Sequence, residues 1–145
     1  MSIRNPNILI LMTAMALLCG CTDNGPDRVV VSGAVTYNGK PVSEGTIRFI
    51  PQATSQVPTA GATIADGKYK VDLRGGVPAG THKVAIEAYR RVPFTPRPGQ
   101  PPPRNYLDGK ITQQYLPRSC NAASKLEITI EPGSREITRN FDLTD

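Results

Sequence analysis

Along most of its length this chain places apolar side chains at every second residue, and the alternation keeps stopping at residue pairs suited to tight turns. That pattern excludes helices of several turns and requires strands with one buried face. Val29, Val31, Val35 and Tyr37 share one face of a first strand, which Asn38-Gly39 ends; both residues tolerate the positive φ of a type I′ hairpin turn. In Thr46–Ile50, Ile47 and Phe49 face inward and Arg48 outward. Asp66-Gly67 joins strands over 60–65 and 68–73, where Tyr69, Val71 and Leu73 alternate with Lys68, Lys70 and Asp72. Thr81–Tyr89 puts His82, Val84, Ile86 and Ala88 on one face. Leu126, Ile128 and Ile130 mark a sixth strand, and Pro132-Gly133 fits the centre of a type II turn. Ile137, Phe141 and Leu143 define a seventh strand, whose alternation Arg139 interrupts, as at a bulge or an edge. Seven short strands with turn signals between most of them predict an all-β domain, a sandwich or barrel.

One stretch breaks the rhythm. Residues 90–118 hold seven of the chain's fourteen prolines and show no strand alternation, which predicts an unusually long loop. The stretch carries Arg90, Arg91, Arg97, Arg104, Lys110 and Arg118 against Asp108 alone. Its net charge of +5 equals that of the whole chain, so the remainder is neutral on balance.

The N-terminus has a different grammar. Arg4 precedes an apolar run from Ile8 to Leu18, of signal-peptide length and short of the roughly 20 residues that span a bilayer. The run ends in Leu18-Cys19-Gly20-Cys21, which resembles the bacterial lipobox: an aliphatic residue, a small one, Gly, then the cysteine that is lipidated. Residues 1–20 are accordingly expected to be a lipoprotein signal peptide. Cys21 is expected to carry a covalent diacylglyceryl or acyl lipid, and 21–28 to form a short tether. The six residues Thr22–Asp27 reach about 20 Å when extended. Only Cys120 would then remain as a thiol, so no internal disulfide is expected, and with few aromatics and no tryptophan the core is expected to be mainly Val, Ile and Leu. The expected location is the cell envelope, on the periplasmic or outer-surface face of a membrane.

With those elements in place, Val31-Ser32-Gly33-Ala34-Val35, Asn38-Gly39-Lys40-Pro41-Val42 and Gly45-Thr46-Ile47-Arg48-Phe49 resemble the opening of carboxypeptidase regulatory-like domains. Ala65-Asp66-Gly67-Lys68-Tyr69 and Val77-Pro78-Ala79-Gly80-Thr81-His82 resemble their middle. The resemblance covers about 29–88 and 113–143, and implies a prealbumin-like, Ig-like, seven-stranded Greek-key sandwich over 29–145. The insertion at 90–118 departs from it, so the resemblance implies nothing about that loop. The peptidase chemistry in the family's name belongs to a separate zinc domain.

Few residues suit catalysis. His82 is the sole histidine, and a zinc site needs three or four ligands; on an apolar face, it reads as a packed core residue. Hydroxyisourate hydrolases and intradiol dioxygenases share the general sandwich but need several histidines. No Gly-x-Ser-x-Gly elbow is present. Cys120, beside Arg118, reads as a partly buried thiol. The expectation is a non-catalytic binding or structural module without a cofactor or metal. Its basic loop, with Phe94, Tyr106 and Tyr115, suits anionic envelope polymers, lipid headgroups or a protein partner, and the compartment argues against nucleic acid. A carbohydrate-binding module and an accessory subunit docking through the loop are the alternatives.

Overall fold

The computed structural model describes residues 25–52 and 57–145. Cys21, the expected signal peptide at 1–20 and the first part of the expected tether lie outside the described residues. Twelve strands run in chain order: β1 (Arg28–Tyr37), β2 (Lys40–Pro41), β3 (Glu44–Pro51), β4 (Ala60–Ala65), β5 (Lys68–Val71), β6 (Val77–Pro78), β7 (Gly80–Pro93), β8 (Tyr106–Leu107), β9 (Lys110–Gln114), β10 (Glu127–Ile130), β11 (Glu136–Thr138) and β12 (Phe141–Leu143). Short 3-10 turns occupy Leu73–Gly75 and Arg118–Cys120. The fold is an all-β sandwich. Each of the seven expected strands is present, the seventh split into β11 and β12, while β2, β6, β8 and β9 are additional.

One layer is built on β1, which pairs antiparallel with β5 and parallel with β11 and β12. The other has β7 at its centre, antiparallel to β3 and β10, with β4 beyond β3. The β4–β5 hairpin carries the chain between layers. Its turn residues, Asp66 at φ 50° and Gly67 at 74°, adopt the left-handed geometry of a type I′ turn, as do Asn38 and Gly39. Phe49 from β3 meets Tyr69 from β5 and Phe141 from β12 at centroid separations of 6.3 and 6.5 Å, which closes the layers on each other. Around these rings Val29, Val31, Val35, Ile47, Ile64, Val71, Val84, Ile86 and Ile130 are fully buried or nearly so. Burying each such side chain stabilises the fold by about 1.5–3 kcal/mol.

The interruption at Arg139 is a crossing point. Its amide donates to the Ser32 carbonyl at 2.8 Å, and its own carbonyl accepts from the Tyr69 hydroxyl at 2.8 Å. That carbonyl occupies the space a side chain at Gly33 would fill: a Cβ there would lie 1.8 Å from the oxygen. Glycine is needed here for close approach, not for a special φ.

Two expectations are corrected. Residues 90–118 are not a strandless loop: β7 runs on to Pro93, and β8 and β9 fold beside it. The end of that stretch also belongs to the sandwich, because Leu116 is buried in the core. Leu73 does not continue the inward row of Tyr69 and Val71. The chain leaves β5 at Asp72, turns through Gly75 and Gly76, both at positive φ, and leaves Leu73 exposed.

Candidate functional site

The segment that carries the excess positive charge folds as a three-stranded arm. Its strands lie in the order β7–β9–β8. The β7–β9 register runs from Tyr89 opposite Gln114 to Pro93 opposite Lys110, and Tyr106–Leu107 then pairs with Lys110–Ile111 across a tight turn. That turn is Asp108-Gly109, with φ of 49° and 73°, the third of the same kind in the chain. Pro98-Gly99 makes a further turn at the tip, Gln100 N–H donating to the Arg97 carbonyl at 3.0 Å with Gly99 at φ 79°. Phe94 packs edge-on against Tyr106 at 6.1 Å and holds the tip onto the strands.

The arm displays its cations around its surface. Arg90 and Gln113 face each other on the side shared with Val92, Ile111 and Tyr115, and the Arg90 guanidinium lies 5.4 Å from the Tyr115 ring centre. Arg91, opposite Thr112, and Lys110, opposite Pro93, point from the other side. Arg97 and Arg104 sit in the exposed tip, and Arg118 lies beyond β9 in the Arg118–Cys120 turn. The structure thus brings Arg91 and Lys110 to one face, puts Arg90 on the other, and leaves Arg118 apart. Among the described residues the ion pairs are Arg48–Glu87 and Lys70–Glu136, so none of these six cations is neutralised by a carboxylate.

At the arm's root the tyrosines serve the scaffold. Tyr37 packs at a tilt against Tyr115, with ring centroids 5.9 Å apart, and donates its hydroxyl to Asp145, which also accepts from Asn38 Nδ2 at 3.0 Å. The hydrogen bond and the nearby carboxylate hold the Tyr37 hydroxyl above its ordinary pKa and the Asp145 carboxyl below its own. Tyr89 donates to Glu87, the partner of Arg48.

No family model matches the chain. No curated protein matches it either. Among solved structures it is similar to part of the 9R-lipoxygenase of Cyanothece PCC8801, at 9% identity and a TM-score of 0.34, over 84% of this chain and 17% of that one. The chain therefore spans under a fifth of that enzyme's length, and so loose a superposition carries no functional argument.

His82 is buried and points into the sandwich with Val84 and Ile86. Its Nδ1 lies 3.0 Å from the Gly80 carbonyl, which can only accept, so the proton sits on Nδ1 and leaves Nε2 buried without a partner among the described residues. Burial lowers its pKa below the ordinary 6.5, and the backbone hydrogen bond opposes that shift only in part. The imidazole is thus a neutral core group. Cys120, the last residue of the Arg118–Cys120 turn, is buried in the core rather than partly exposed. Among the described residues no group of three or more His, Cys, Asp or Glu side chains is placed to hold a metal ion.

A second surface was not foreseen. Ser32, Gly33, Ala34, Thr63, Ala65, Lys68, Lys70 and Asn140 border an open trough of about 650 Å³ on the outer face of β1, β5 and β4. Small residues at outward positions of adjacent strands were its only sequence signal.

Proposed function

We propose that this protein is a lipid-anchored, non-catalytic binding module of the bacterial cell envelope, held to its membrane through Cys21, and that its contact surface is the basic arm. The observation that supports this reading is that Arg90, Arg91, Arg97, Arg104 and Lys110 lie on one extended projection, none of them paired with a carboxylate among the described residues. A solvated surface of mixed charge would have paired several of them; an unpaired set keeps its field available to an anionic partner. The arm is also pre-organised, since its strands, its two tight turns at Pro98-Gly99 and Asp108-Gly109 and the Phe94–Tyr106 contact are in place before any ligand arrives, which lowers the ordering cost of binding. A second reading, docking of a partner protein, has one observation in its favour: Leu107 stands exposed on β8, the edge strand of the arm. A glycan-binding face is disfavoured because Tyr37, Tyr69 and Tyr89 are committed to internal hydrogen bonds.

The test follows from the register. Because Arg90 lies opposite Gln113, residues 91–112 can be replaced by an Asn-Gly turn that keeps Arg90, Tyr115 and Leu116 in place. The trimmed, lipidated protein should unfold cooperatively and lose no more than about 1 kcal/mol, because shortening the connection about elevenfold, at about 0.6 kcal/mol per doubling, lowers its closure cost by about 2 kcal/mol and offsets the arm contacts removed. On a phosphocellulose matrix it should elute at lower salt. If the four removed cations each meet one anionic group, the slope of log K against log salt falls by about 3. Equal elution of the two proteins would remove the arm from the binding function.

A further inference from the structure

The two ends of β7 meet different surroundings. At the first end, Gly80 follows Ala79, whose amide donates to the Asp27 carbonyl at 2.7 Å, and Arg28 pairs with Pro78. The polypeptide leading from Cys21 therefore enters the domain here. The Leu73–Gly75 turn lies at the same end: Arg28 Nη1 donates to the Gly76 carbonyl at 3.1 Å, and Asp27, Arg28, Arg74 and Gly75 border one concavity. Leu73 projects from this turn 75% exposed, with Arg74 beside it. At the other end β7 becomes the arm. Its fourteen residues, at about 3.3 Å each, separate Gly80 from Pro93 by about 40 Å. Arg97 and Arg104 lie beyond.

We propose that the domain stands on its anchoring membrane through the Leu73–Gly75 turn and holds the basic arm at its far end for a polyanionic polymer of the envelope, not for the lipids of that membrane. This rests on the reading of the chain as a module anchored at Cys21. Three considerations support it. The tether reaches about 20 Å, half the length of β7, so the entry end of the domain stays near the bilayer. An exposed leucine next to an arginine suits the bilayer interface, with the apolar group at the acyl boundary and the guanidinium among the phosphates. Fields at physiological salt decay within about 8–10 Å, so cations about 40 Å from the entry end are screened from that membrane's charge. The arrangement of the cations agrees. Arg90 and Arg91 point from opposite faces and Arg97 and Arg104 occupy the tip, so no single small anion can engage them together. A flexible chain of repeated negative groups can follow them around the arm.

The experiment uses the lipidated, full-length protein in vesicles of phosphatidylcholine alone and of phosphatidylcholine with phosphatidylglycerol. A donor dye is attached in separate samples at Leu73→Cys and at Gln100→Cys, with an acceptor-labelled lipid in the bilayer. Energy transfer from position 73 should exceed that from position 100 several-fold in both vesicle types. The unlabelled protein should retain soluble polyphosphate on the vesicles. The variant with Arg91, Arg97, Arg104 and Lys110 each changed to Glu should retain at least about tenfold less, as polyanion binding scales steeply with the number of charges. Transfer from position 100 that rises to match position 73 on anionic vesicles would overturn the upright arrangement while leaving an anion-binding arm. Polyphosphate retention unaffected by the four charge reversals would overturn both this proposal and the binding role of the arm.

Discussion

Changing Gly33 to Ala tests the architecture at its tightest point. The added methyl would begin 1.8 Å from the Arg139 carbonyl oxygen and 2.6 Å from its carbon, both backbone atoms that cannot swing aside like a side chain. Relief requires β1 and the β11–β12 segment to separate. Three hydrogen bonds then lengthen together: Arg139 N–H to Ser32, the Tyr69 hydroxyl to Arg139, and the Ala34 N–H to Asn140 Oδ1 at 2.9 Å. At about 1 kcal/mol net for each, the loss approaches 3 kcal/mol. Against it stands the 0.4–1 kcal/mol, roughly, by which Gly-to-Ala stabilises through the unfolded chain where the backbone allows it. The net effect is a destabilisation of about 2–3 kcal/mol, visible as a melting temperature lower by on the order of 10 °C. Thermal unfolding followed by circular dichroism, in detergent to accommodate the lipid, reads this directly. A variant that melts at or above the parent temperature would refute the close approach at Arg139, and with it the account of why the last strand breaks there.

Two further outcomes concern the core and the anchor. His82→Phe should cost no more than about 1.5 kcal/mol near pH 8, since it exchanges one hydrogen bond for the removal of an unpartnered buried nitrogen. Because the folded-state pKa of His82 is lowered, the unfolded chain takes up the proton first, so the parent loses stability as pH falls from about 6.5 toward the folded value; urea unfolding across pH should show that this loss is absent in His82→Phe, and parallel curves would contradict the neutral core imidazole. Cys21→Ala should leave the protein unacylated and free of stable membrane association, because each buried acyl methylene contributes about 0.8 kcal/mol. Mass spectrometry finding the parent protein with an unmodified Cys21 at its mature N-terminus would defeat the anchoring proposal.

What the sequence disclosed depended on whether a strand has one buried face. Val29 to Tyr37, Ile47 with Phe49, and His82 to Ala88 announce themselves because their alternate side chains enter the core. The arm strands have no such face: Arg90 and Val92 on one side, like Arg91 and Pro93 on the other, are all wholly or partly exposed, so hydrophobic period is silent there. The signal that did exist was turn chemistry. Asp108-Gly109, flanked by Tyr106-Leu107 and Lys110-Ile111, repeats the grammar of Asp66-Gly67 and was masked by the prolines before it. Leu73 shows the converse, an alternation that outlasts its strand, where Gly75-Gly76 was the better guide. The six basic residues were legible as a set, but their distribution over two faces, a tip and a separate turn followed only from the register.

The parallel pairing of β1 with β11 and β12 joins residues more than a hundred positions apart, as in the contact of Ala34 with Asn140 at a separation of 106. Contacts of that range carry a large closure-entropy cost, because the intervening chain must be gathered for them to form. Until Phe141 and Leu143 arrive, one flank of β1 has no neighbour and the aromatic cluster of Phe49 and Tyr69 lacks its third member. A chain of this topology threaded through a membrane pore from its N-terminus would stay open until its final strands had passed. The order of strands in the sheet thereby makes closure of the domain wait on its C-terminal residues.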